Sequence, residues 1–217
     1  MQDRTETKPS EEFANCLTHA GGLLFAVIGA AILIDAIADR SSFALKIGCW
    51  IYAGTLVTLY AVSTLSHLCV NPARKYYFRS LDQGVIFLFI AGTFTPFSVA
   101  CLHDEMRWIP LAVMWIAAAT GFCSKVFWRY RVESATVTHY LALGWLPVTT
   151  IEPIFASLPT EGIVLCVAGG LCYTVGTVFL IFDTKVRYFH ALWHLFVITG
   201  SCCHFLVIVN YVIPLQS

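Results

Sequence analysis

QGVIFLFIAGTFTPFSVACLH, residues 83–103, runs through 21 consecutive positions without an Asp, Glu, Lys or Arg. As a helix this stretch rises about 30 Å, the thickness of a bilayer's hydrocarbon core. On either side of it lie six more uncharged runs, at 13–34, 47–73, 108–124, 134–151, 162–182 and 188–217, each 17 residues or longer. Composition agrees: 58% of the 217 residues are hydrophobic and 12% are charged, against roughly 25% charged in a soluble domain. The 26 charged residues, gathered at the junctions, are too few to form the polar exterior of a soluble protein. The expected fold is all-α and membrane-integral, with seven transmembrane helices at approximately 17–38, 43–67, 82–102, 108–127, 135–157, 162–182 and 191–214. These form one domain, 13–217, behind a polar tail, 1–12.

With 13 basic and 13 acidic residues the formal charge is zero, which excludes the global basic field that nucleic-acid binding requires. Local placement is informative instead. The tail and the junctions after the second, fourth and sixth runs hold Arg4, Lys8, Arg74, Lys75, Arg79, Lys125, Arg129, Arg131, Lys185 and Arg187, whereas the opposite side holds Arg40, Lys46 and Arg107. The positive-inside rule then predicts a cytoplasmic N-terminus and an external C-terminus. Six charged residues within the first twelve positions, ahead of a long apolar run, argue against a cleaved leader. Trp108, Trp128, Tyr130, Tyr76 and Tyr77 read as interfacial anchors, and the nine cysteines, which include no C-x-x-C, as small packing residues.

Against this background the histidines stand out. An ionisable side chain inside a bilayer costs several kcal/mol unless it is paired or used. His190 and His194 are four apart on one helix face, the spacing of a two-histidine metal clip. His67 closes the second run, which ends on the side where the seventh begins, so the three share a leaflet. Asp82 and His19 belong to the same side. Three imidazoles with one open position are the ligand set of a catalytic zinc site. Asp82 is placed to act as a base or to orient an imidazole. Ser63, one turn before His67, is placed to meet a polarised carbonyl or to bond back to its own helix. His204 lies about 15 Å deeper than His194, too far to be a ligand and suited to a buried hydrogen bond with another helix.

Glu12-x-x-Asn15-x-x-x-His19, Ser63-x-x-x-His67 with Asp82 downstream, and His190-x-x-x-His194 resemble the three signature motifs of the hemolysin III and progestin/adipoQ receptor family. The flanking segments EEFANCLTH, STLSH, RSLDQGVIFLFIAGTFTPF and FHALWHL are similar to bacterial hemolysin III members. The resemblance implies an adiponectin-receptor-like seven-helix fold in a bacterial cytoplasmic membrane, with zinc held by His67, His190 and His194 and with Ser63 and Asp82 in the site. Glu12, Asn15 and His19 would brace it or tie the first helix to the others. The fold is also related to that of alkaline ceramidases, which implies a zinc-dependent hydrolase of lipid amides or esters. A non-catalytic, zinc-stabilised regulator of membrane lipid homeostasis is the alternative. A haemolytic pore fits less well, because the polarity clusters in one leaflet instead of lining a path across. Membrane lipids are the expected substrate or ligand.

Overall fold

The computed structural model describes residues 9–38, 41–102, 105–127 and 133–216. Arg4, Lys8, Arg40, His103, Trp128, Arg129, Tyr130 and Arg131 lie outside the described residues. Among those described, every regular element is helical: α1 (Pro9–Ala36), α2 (Phe43–Leu68), α3 (Pro72–Cys101), α4 (Glu105–Val126), α5 (Glu133–Trp145), α6 (Ile151–Ser157), α7 (Thr160–Phe182) and α8 (Phe189–Val207). A 3₁₀ segment, Leu146–Thr150, joins α5 to α6, and α8 runs on through a π turn, Ile208–Val212, into a final 3₁₀ turn.

Two helices begin well before their apolar runs. The first starts at Pro9 instead of residue 17, so Pro9–Glu12 is helix and not tail. Proline is at ease in a first turn, where its missing N–H would have had no partner, and Glu11 and Glu12 complement the positive end of the helix dipole. The third starts at Pro72 instead of residue 82. Asn71 caps it, its Oδ1 accepting from the N–H of Ala73 at 3.1 Å and of Arg74 at 3.2 Å. Hydropathy marks where a helix enters hydrocarbon, and these helices continue past that point into the charged layer.

The two mid-run prolines behave differently. Pro147 interrupts the fifth run, and the expected single helix 135–157 is instead α5, the 3₁₀ segment and α6. Proline cannot donate the next helical hydrogen bond, and the hydroxyls of Thr149 and Thr150 turn back to the carbonyls of Leu146 and Pro147 at 2.8 and 3.0 Å. Pro96 stays within α3, where Gly48 of α2 packs directly on its backbone.

Among the described residues, six helices are long and apolar enough to cross a membrane, beginning at Pro9, Phe43, Pro72, Met106, Thr160 and Phe189. Helix α3 is the hub: 78% of its apolar window is buried, against 17% in the windows of α4 and α7. The outer faces are apolar, with Leu24, Ile109, Ile116 and Val164 each at least 60% exposed. Buried polar residues, among them Asn15, His19, Ser63, Ser66, His194 and Ser201, lie inside. Apolar outside and polar within is the arrangement of a multi-pass integral membrane protein. All nine cysteines are free.

Candidate metal centre

The last turn of α2 and the first turns of α8 bring three imidazoles together. Ring centres are 5.4 Å apart for His67–His190, 5.3 Å for His67–His194 and 4.5 Å for His190–His194. Three imidazoles around one tetrahedral ion, with N–metal distances of about 2 Å, have ring centres ~5 Å apart. His19 of α1 completes the cluster, 5.5 Å from His67 and only 3.6 Å from His194. Ring nitrogens of His19, His67 and His194 also lie within 4.8 Å of one another. Nitrogen proximity therefore points to His19, and ring spacing to His190. The 3.6 Å between the tilted rings of His19 and His194 is shorter than the ~5 Å expected of neighbours around an ion.

The Nδ1 atoms of His67, His190 and His194 each have a neighbour, whereas that of His19 is buried with no hydrogen-bond partner among the described residues. His67 Nδ1 donates to Glu12 Oε2 at 2.8 Å, and His190 Nδ1 donates to Asp183 Oδ2 at 2.8 Å. His194 Nδ1 lies 3.0 Å from Thr18 Oγ1. His67 Nε2 is buried and has no hydrogen-bond partner among the described residues, a lone pair held ready in a place where an unused polar atom is costly. An all-imidazole donor set of this kind suits zinc.

The other Glu12 oxygen, Oε1, accepts from Lys75 Nζ at 2.6 Å and from Arg79 Nη2 at 3.4 Å. Both cations stand on the part of α3 that precedes its apolar run. Farther in, the Ser63 hydroxyl donates to Asp82 Oδ1, which joins α2 to α3. Asn15 is buried, and its Oδ1 has no partner among the described residues.

The structure thus gathers His67, His190, His194, His19 and Glu12 in one cluster and pairs Ser63 with Asp82. His139 lies on the exposed side of α5. Its neighbour Tyr140 points inward and donates to the Gln83 carbonyl at 2.6 Å. His204 donates from Nε2 to the Cys166 carbonyl of α7 at 3.2 Å, the buried inter-helix bond expected of it. Sequence reasoning missed Thr18, Asp183 and Tyr60, whose hydroxyl meets Ser201 at 3.0 Å and whose ring is 6.1 Å from His19. A threonine in an apolar run and an aspartate at a junction carry no distinguishing signal.

The chain belongs to the Haemolysin-III related family, which it matches over residues 7–205. It is 35% identical over 207 residues to Hemolysin-3 of Bacillus cereus, covering 95% of this chain and 94% of that protein. It is 33% identical over 201 residues to a Hemolysin-3 homolog of Bacillus subtilis, covering 93% and 94% respectively. The human Monocyte to macrophage differentiation factor is 30% identical over 210 residues, covering 93% of this chain and 84% of its own length. No solved structure matches the chain.

Proposed function

We propose that this protein is a zinc-dependent hydrolase of lipid amide or ester bonds. It crosses a bacterial cytoplasmic membrane seven times with the N-terminus inside, and the broken rod from α5 to α6 supplies the crossing that the six long helices leave open. The observation that carries the reading is the Ser63–Asp82 hydrogen bond in the same layer as three imidazoles whose Nδ1 atoms are all engaged. His67, His190 and His194 would hold the ion. Bound zinc supplies Lewis acidity for carbonyl polarisation and water activation. Asp82 serves as the base that takes the proton of the attacking water. Ser63 orients that carboxylate through its O–H and can redirect the same proton toward the substrate carbonyl.

The test is fatty-acid release from ceramides and other acyl lipids by purified, zinc-loaded protein. Asp82→Ala should keep its zinc and lose at least a hundredfold in release. Absence of release with every lipid class would overturn the hydrolase.

A second reading, a regulator of membrane lipid state, draws on the way the cluster ties α1, α2, α3 and α8 together through Glu12, His19, His67, Lys75 and His194. In that case the metal acts as a cross-link. His67→Ala should then change the lipid composition of cells while the wild-type protein turns over nothing in vitro.

A further inference from the structure

We propose that Glu12, Thr18 and Asp183 are positioning residues. Each fixes one of the three histidines as its Nδ1–H tautomer and so leaves its Nε2 lone pair as the atom available to an ion. The inference rests on the zinc reading above; it gives the motif residue Glu12 a defined role and adds Thr18 and Asp183, which no motif assigns to the site.

The argument follows from donors and acceptors. A neutral imidazole carries one N–H and one lone pair, and only the lone pair binds metal. A carboxylate accepts and never donates, so Glu12 at 2.8 Å and Asp183 at 2.8 Å put the protons of His67 and His190 on Nδ1. Thr18 reaches the same result by another route. Its hydroxyl lies 3.0 Å from the Ala14 carbonyl and 2.9 Å from the Asn15 carbonyl, so its one proton goes to its own helix. Only lone pairs then face His194, and Nδ1 at 3.0 Å must be the donor. All three rings are left with Nε2 as the free ligand atom.

The acceptors are themselves held. Lys75 and Arg79 occupy Glu12 Oε1 and keep Oε2 for His67. Asp183 and His190 flank a reversal at Tyr188, whose φ of 64° is the only positive value for a non-glycine residue among the described residues. That reversal is secured from α1, since the Tyr188 N–H donates to Glu11 Oε1 at 3.3 Å and Arg187 Nη2 donates to Ser10 Oγ at 2.7 Å. Three successive residues at the start of α1, Ser10, Glu11 and Glu12, together with Thr18 two turns on, therefore brace histidines on α2 and α8.

The test uses full-length protein in detergent. Zinc affinity is measured by competition with a chromophoric chelator, and the ligand field is read from the visible spectrum after cobalt(II) substitution. Loss of an outer partner of a metal-bound histidine typically weakens binding 10–100-fold. Thr18→Val, Glu12→Ala and Asp183→Ala should each weaken zinc binding by about that factor and change the cobalt spectrum. Thr18→Ser, which keeps the hydroxyl, should stay within about twofold of wild type. Metal-free Thr18→Val should melt where metal-free wild type melts, which separates orientation of a ligand from packing of the helix. Unchanged zinc affinity and spectrum in Thr18→Val and Asp183→Ala would overturn the proposal. If His67→Ala, His190→Ala and His194→Ala retain zinc, the zinc reading itself fails. If those three lose it while the positioning variants do not, only the present inference does.

Discussion

A methyl group at position 22 would lie 2.5 Å from two ring carbons of Tyr60. Helices in lipid associate by close packing, and small residues are what allow it. Gly22→Ala should therefore push the Tyr60 ring aside and destabilise the protein by about 1–3 kcal/mol, measured by unfolding in detergent. An unchanged unfolding midpoint would show that this ring is free to move. At the same scale, His67, His190, His194 and Asp82 were legible in the sequence because imidazole and carboxylate are costly in hydrocarbon and few in number. Thr18 was not legible, since a hydroxyl that bonds back to its own helix is compatible with any apolar run. Neither was Asp183, because seven residues and a left-handed reversal separate it from His190, a path with no periodicity to read.

Helix ends carry the next layer of information. Uncharged runs located every helical rod, but their limits follow hydrocarbon thickness, so α1 and α3 extend one or more turns beyond them. Those extra turns carry Glu12, Lys75 and Arg79. Capping residues are the better guide to such ends: Asn71 followed by Pro72 is a start signal, ten residues before the charge that bounded the run. Asn71→Ala should cost about 1 kcal/mol of stability in the same unfolding assay. The fifth rod was legible as apolar but not as broken, because Pro147 and Pro96 look alike in sequence. Their fates differ through packing and through the two threonines that bond the carbonyls of Leu146 and Pro147.

Across the whole molecule, the asymmetry of lysine and arginine predicts a direction that can be tested. A fluorescent protein fused to the N-terminus should glow in the cytoplasm, and alkaline phosphatase fused to the C-terminus should be active outside. The reverse pair of results would invert the topology. The histidine end of the bundle is the end rich in basic side chains, with Lys75, Arg79 and Arg187 all engaged there by acids or hydroxyls of α1.

One consequence concerns the order of synthesis. Ser10 and Glu11 meet Arg187 and Tyr188 across 177 positions of sequence, nearly the length of the chain. The first turn of α1 is matched to the start of α8, the last of the described α-helices. The histidine cluster draws on α1, α2 and α8, so a chain arrested before α8 lacks two of its imidazoles. Closure of the cluster therefore follows the synthesis of every helix from α1 to α8.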